Sequence, residues 1–202
     1  MFFGVMMIEF LQGEKIISIL EKLTLELNND PKSIKKSALD QIDDISKLCE
    51  LLHYSNFELW NCEAAIRRND ISTSFFIHLK KRIDQTNLFR TSCIERIDSI
   101  SFDLFKLCEC NDWDSCYVNS ETLGQLVDKL SILTLKIYSR DKYNKIDPAV
   151  NTLKRQRDYI LVCYNRYINE LSEGKGYMMR YCQFKKYEKS EIVKLNNNSM
   201  DI

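Results

Sequence analysis

The chain has 202 residues, 45% of them apolar, and carries 29 basic against 29 acidic side chains. That length and apolar content suit one well-packed domain, or at most two small ones, and argue against global disorder. The charge balance excludes a global field that would recruit nucleic acid or an anionic membrane.

Five glycines and two prolines, against usual shares of about 7% and 5%, favour long helices over short strands joined by tight turns. The opening MFFGVMMIEFLQGEK has no basic lead, and Glu9 and Gln12 break its apolar run. It therefore reads neither as a secretory signal nor as a membrane span, and the expectation is a cytoplasmic chain with its eight cysteines reduced. Residues 5–28 repeat Ile8, Leu11, Ile16, Leu20, Leu23 and Leu27 near helical spacing. NNDPKS (28–33) is a break, with Pro31 suited to a first helical turn, and a long amphipathic helix is predicted over about 33–68. RRNDIST interrupts it; Asp70 or Ser72 is placed to cap a helix over about 73–108. CNDWDSCYVNS (110–120) reads as a loop, followed by a helix from Ser120 or Thr122 to about Arg140. A last long helix covers about 149–172 and stops at the glycines of SEGKG. The segment 177–189 is short, aromatic and basic, and LNNNSMDI has too little apolar content to pack. No run of alternating β-branched residues and no internal repeat occurs. The prediction is an all-α, single-domain bundle of about five main helices over 1–188, with a frayed tail at 189–202.

On a helical wheel, Ile45, Leu48, Cys49, Leu52, Leu59, Trp60 and Ile66 face the core, and Asn56, Glu63 and Arg67 fall on the same arc. Glu63 and Arg67 are four apart, acid before base, the favourable order for a pair on one helix. In the next helix Arg90 sits among Phe76, Leu79, Ile83, Ile94, Ile97 and Leu104, with Asn87 at the edge. The following helix is apolar nearly all round, which places Asp128 at least half inside. In the last helix Arg157 shares the arc of Leu153, Ile160, Leu161, Tyr164 and Ile168. Unpaired buried charge costs several kcal/mol or more, so these groups must meet one another, water or a ligand. One outcome is an ion network that holds helices in register. The other is a cleft that binds a phosphate or carboxylate through Asn56, Arg67, Asn87, Arg90 and Arg157, with Glu63 or Asp128 as general base. Three arginines against two carboxylates leave one positive charge over within this set.

Other chemistry finds little support. His53 and His78 are the only histidines, and neither lies in a metal-ligand spacing. CECNDWDSC (108–116) lacks the nearby histidine that would strengthen a metal reading. Phosphate-loop, dinucleotide, zinc-protease and serine-hydrolase motifs are absent, and no cofactor is called for. RYCQFKKYEK interleaves basic and aromatic residues, but one such stretch in a neutral protein reads as packing with lysines outward, not as a nucleic-acid grip.

The stretches LLHYSNFELWNCEAAIRR, KKRIDQTNLFR, ETLGQLVDKLSILTLKIYSR and QFKKY, in that order, resemble a bacterial family catalogued as domain of unknown function 4254. The resemblance runs from about residue 45 to 187. Asn56, Leu59, Trp60, Glu63 and Arg67 match a family pattern of Asn-x-x-Leu-Trp-His-x-Glu-Asp followed by Arg. Asn61 stands where the family has His, and Ala64 where it has Asp; any chemistry carried by that His and Asp is missing here. Cys182 likewise replaces a basic residue before Gln183 and Phe184. The resemblance implies no established activity. It implies a setting near glycosyltransferase and surface-polysaccharide genes, hence an accessory or scaffold with a protein partner in glycan assembly. The alternative it leaves is an enzyme or binding module for a phosphate-bearing sugar.

Overall fold

With few glycines or prolines to interrupt helical periodicity, long helices dominate the computed structural model, which describes residues 12–29, 39–105, 113–143 and 147–179. The helices are α1 (Gly13–Asn29), α2 (Ile45–Ile66), α3 (Thr73–Leu104), α4 (Leu123–Tyr143) and α5 (Pro148–Ser172). Two 3-10 turns, Leu39–Gln41 and Trp113–Ser115, lie in the connections. The all-α bundle expected from the sequence is the architecture found. Among the described residues no helix is long and apolar enough to cross a membrane.

Each helix boundary has a local cause. The helix predicted from residue 33 begins at Ile45 instead, because Asp44 is its N-cap and its carboxylate accepts from Ser46 N at 2.9 Å. Ser72, one of the two predicted caps, starts α3 by accepting from Phe75 N at 3.2 Å. That helix stops at Leu104, short of the predicted 108. Asp147 caps α5, with Pro148 in its first turn. At the other end Gly174 adopts φ +69°, Gly174 N donates to Leu171 O, and Lys175 N donates to Glu170 O. This paired closure is the Schellman arrangement, for which a left-handed glycine is suited. It turns the chain back so that β2 (Gly176–Tyr177) pairs in parallel with β1 (Tyr117–Val118), a bridge the sequence did not announce. Tyr167 secures it by donating to Tyr177 O at 2.8 Å.

Polar contacts give the helix directions. Asn56 and Glu58 of α2 meet Arg90 and Arg82 of α3, so those two helices are antiparallel. Asp98 and Arg90 meet Gly124 and Asp128, so α4 runs antiparallel to α3. Gly13 and Glu21 meet Asn165 and Arg157, which sets α1 antiparallel to α5. The core lies where all five converge: Ile16, Leu20, Leu48, Leu52, Cys93, Ile97, Leu126, Leu130, Tyr164 and Tyr167 are sealed from solvent. A smaller cluster of Leu59, Cys62, Leu79 and Ile83 joins the far ends of α2 and α3. There the wheel over-predicted burial: Trp60 is 41% exposed, and Phe76 at the start of α3 is also outside. Cys49, Cys62 and Cys163 carry free thiols; Cys108, Cys110 and Cys182 lie outside the described residues, as do the segments 30–38 and 180–202.

Candidate functional site

The polar side chains that enter the bundle form one continuous chain across four helices, and its hydrogens can be placed by elimination. The Thr24 hydroxyl gives its only hydrogen to Leu20 O at 2.7 Å, so at its 2.9 Å contact with His53 Nε2 it must accept. His53 therefore carries a hydrogen on Nε2, and its neutral ring is bare on Nδ1. Ser131 sits 2.9 Å from Nδ1 and donates to it. Its oxygen in turn accepts from Asn56 Nδ2 at 2.9 Å. The second Nδ2 hydrogen of Asn56 goes to Asp128 Oδ1, also at 2.9 Å, and Asn56 Oδ1 faces Arg90 Nη1 at 3.4 Å. A carboxylate only accepts and a guanidinium only donates, so the Asn56 amide has one permitted orientation.

Burial sets the charge states. It pulls the His53 pKa down to about 4, which keeps the ring neutral and leaves Nδ1 able to accept from Ser131. It raises the Asp128 carboxyl, against the opposing pull of Arg90 and of the Asn56 hydrogen bond. Arg90 and Asp128 are 3.9 Å apart, with side chains 29% and 13% exposed, so one end of the chain touches solvent while His53 and Thr24 lie sealed at the other. One turn further into the core, Asp98 accepts from Gly124 N at 2.8 Å and so caps the start of α4 from a neighbouring helix. Burial pushes its carboxyl up to about 6, although Thr122 and the Gly124 N–H draw it back.

Of the seven residues singled out in the sequence, three come together: Asn56, Arg90 and Asp128. Glu63 and Arg67 do not join them. They pair with each other at 4.0 Å on the outside of α2, with side chains 47% and 79% exposed. They share the azimuth of Asn56, but seven and eleven residues on, about 10 and 16 Å along the axis, that face of α2 is open to solvent. Arg157 is also elsewhere: it pairs with Glu21 of α1 at 2.6 Å. Asn87 is half-buried on α3, where its carbonyl accepts from the Thr91 hydroxyl at 3.0 Å. The positive charge left over in the sequence reading disappears, because Glu21 supplies the third carboxylate.

Sequence reasoning missed Thr24, Ser131 and Asp98, and set His53 aside. Asp98 had a signal, since Ile94, Ile97 and Ser101 surround it at helical spacing. Thr24 and Ser131 had none, because a hydroxyl on a helix usually bonds its own backbone. Among the described residues no group of His, Cys, Asp or Glu is arranged to hold a metal ion.

No curated protein and no solved structure matches the chain. A family model does match, over residues 46–179, a span that holds all of α3, α4 and α5 and nearly all of α2. It therefore takes in every member of the polar chain except Thr24. On that match the protein belongs to the family described as protein of unknown function (DUF4254).

Proposed function

We propose that the protein is a non-catalytic helical accessory or scaffold in surface-glycan biosynthesis, acting in the cytoplasm of a bacterium through protein contact. One observation carries the non-catalytic part: the interior polar groups from His53 to Asp128 satisfy one another with a single consistent hydrogen pattern. Such a chain specifies helix register, and it engages the His53 ring nitrogens and Asp128 Oδ1 in structural hydrogen bonds. About 20 Å along α3 from Arg90, Phe75, Phe76 and Ile77 expose apolar surface at the start of the helix. The replacements Asn61 and Ala64 point the same way, and the glycan setting rests on the family resemblance alone. The test is complementation of a deletion strain. Glu63→Gln and Asp128→Asn, each checked for folding by thermal melting, are expected to restore surface-glycan output. Loss of output by a folded variant would assign a carboxylate to chemistry.

A second reading, a binding module for a phosphate-bearing small molecule, is favoured by the state of Arg90. Its Nε is buried without a hydrogen-bond partner among the described residues, and its Nη1 contacts are long. A guanidinium held this loosely has capacity for an anion. A panel of nucleotides, sugar nucleotides and phosphates distinguishes the readings, because a ligand at about 100 times its Kd stabilises by about 2.7 kcal/mol. The scaffold reading expects no rise in melting temperature; a rise abolished by Arg90→Leu would establish the module.

A further inference from the structure

A groove of about 500 Å³ runs between α4 and α5, lined by residues outside the interior polar chain. Ile132, Leu133 and Ile160 form its floor, and Tyr159 stands at its edge, 69% exposed. Lys129 and Lys136 border it along α4 and Arg155 along α5, while no carboxylate lines it. Lys129 is tied to Glu121, but Lys136 and Arg155 pair with no carboxylate among the described residues. The α4 border spans two helical turns, about 10 Å.

An occupant must therefore be apolar on one face and anionic along its flanks. A drug-sized ligand typically has 70–90% of its surface covered, and this groove is more open than enclosed. An amphipathic helix needs only one face covered, with anchors at i, i+3, i+4 and i+7 over two turns. We propose that the groove between α4 and α5 docks an acidic amphipathic helix of a partner protein. Its apolar side chains lie on Ile132, Leu133 and Ile160, and its carboxylates meet Lys136 and Arg155. Basic flanks of this kind steer encounter and reject cationic partners more than they add affinity. The inference deepens the scaffold reading and rests on it.

The probe is a hydrocarbon-stapled peptide of about four turns with leucines on one face and glutamates on its flanks. A twin carries lysines in place of the glutamates. Both are titrated against the full chain by fluorescence polarisation, and the contact face is mapped by NMR. The acidic peptide is expected to bind and to perturb Ile132, Leu133 and Ile160. Reversing both cations, K136E with R155E, is expected to weaken it at least about tenfold, since like charges juxtaposed cost several kcal/mol. The same variant should now prefer the lysine twin. Several results would overturn the proposal: no binding at millimolar peptide, perturbation centred on Phe75–Ile77, or indifference to the charge reversal. So would displacement of the acidic peptide by dodecanoate, or occupation of the groove by a second copy of the chain. Peptide failure alongside intact complementation by the Glu63 and Asp128 variants would retire the groove and leave the scaffold reading standing.

Discussion

Ser131 of α4 makes two bonds to α2 with one hydroxyl, donating to His53 Nδ1 and accepting from Asn56 Nδ2, each at 2.9 Å. Alanine there strips a donor from a buried ring nitrogen and an acceptor from a buried amide. Each unsatisfied group costs about 1–3 kcal/mol, so Ser131→Ala is expected to lose about 2–5 kcal/mol in urea denaturation. Glu63→Ala, on the outside of the same bundle, should stay within about 0.5 kcal/mol of the parent. The contrast inverts the sequence reading, in which Glu63 was a central residue and Ser131 unremarked. A charge on an apolar arc is visible in sequence; a serine whose two partners lie 75 and 78 positions away is not.

Helices here are held as close by what is missing as by what is present. A Cβ at Gly124 would sit 2.6 Å from Ile94 O and 3.0 Å from Asp98 Oδ1. Glycine thus allows α4 to start against the backbone of α3, where Asp98 can cap it. Gly124→Ala cannot be relieved by a side-chain rotation alone, because the nearer clash is with a carbonyl. It is expected to lower stability by about 1–3 kcal/mol, as overpacking does, and to shift NMR signals around Asp98. The role of Gly124 is a property of the α3–α4 pair, which no neighbouring residue in the sequence signals. Helix existence, by contrast, was legible throughout. The start predicted near residue 33 lies instead at Ile45, because Asp44 caps the helix and a local cap decides where a helix begins.

At the scale of the molecule, two buried groups give stability opposite dependences on pH. His53 has a folded pKa of about 4, below its ordinary 6.5. Its contribution is complete above pH 6.5 and is lost as pH falls towards 4, because the unfolded chain takes up the proton first. Asp98 has a folded pKa of about 6, above its ordinary 3.8. Its protonated form is favoured by the fold, so its contribution is present below pH 3.8 and is lost as pH rises through about 6. Asp128 is raised in the same sense. The His53 and Asp98 shifts each correspond to about 3 kcal/mol, so they oppose one another between about pH 4 and 6. Asp98→Asn removes one side of the balance. Relative to the parent, its stability is expected to rise more steeply from pH 4 to 6, read as urea midpoints across that range. An unchanged slope would mean that Asp98 is solvated.

Sequence alone determined that this chain is a bundle of long helices and which stretches form them, because helical periodicity and scarce chain-breakers act over neighbouring residues. It also placed Asn56, Arg90 and Asp128 inside. It could not decide how far that interior extends along each helix, since cover depends on how closely neighbouring helices approach. That is why Glu63 and Arg67 lie outside and why Arg157 finds Glu21. Nor could it pair Thr24, His53 and Ser131. Hydrogen bonds between helices are settled by packing, which brings together residues that no spacing along the chain relates.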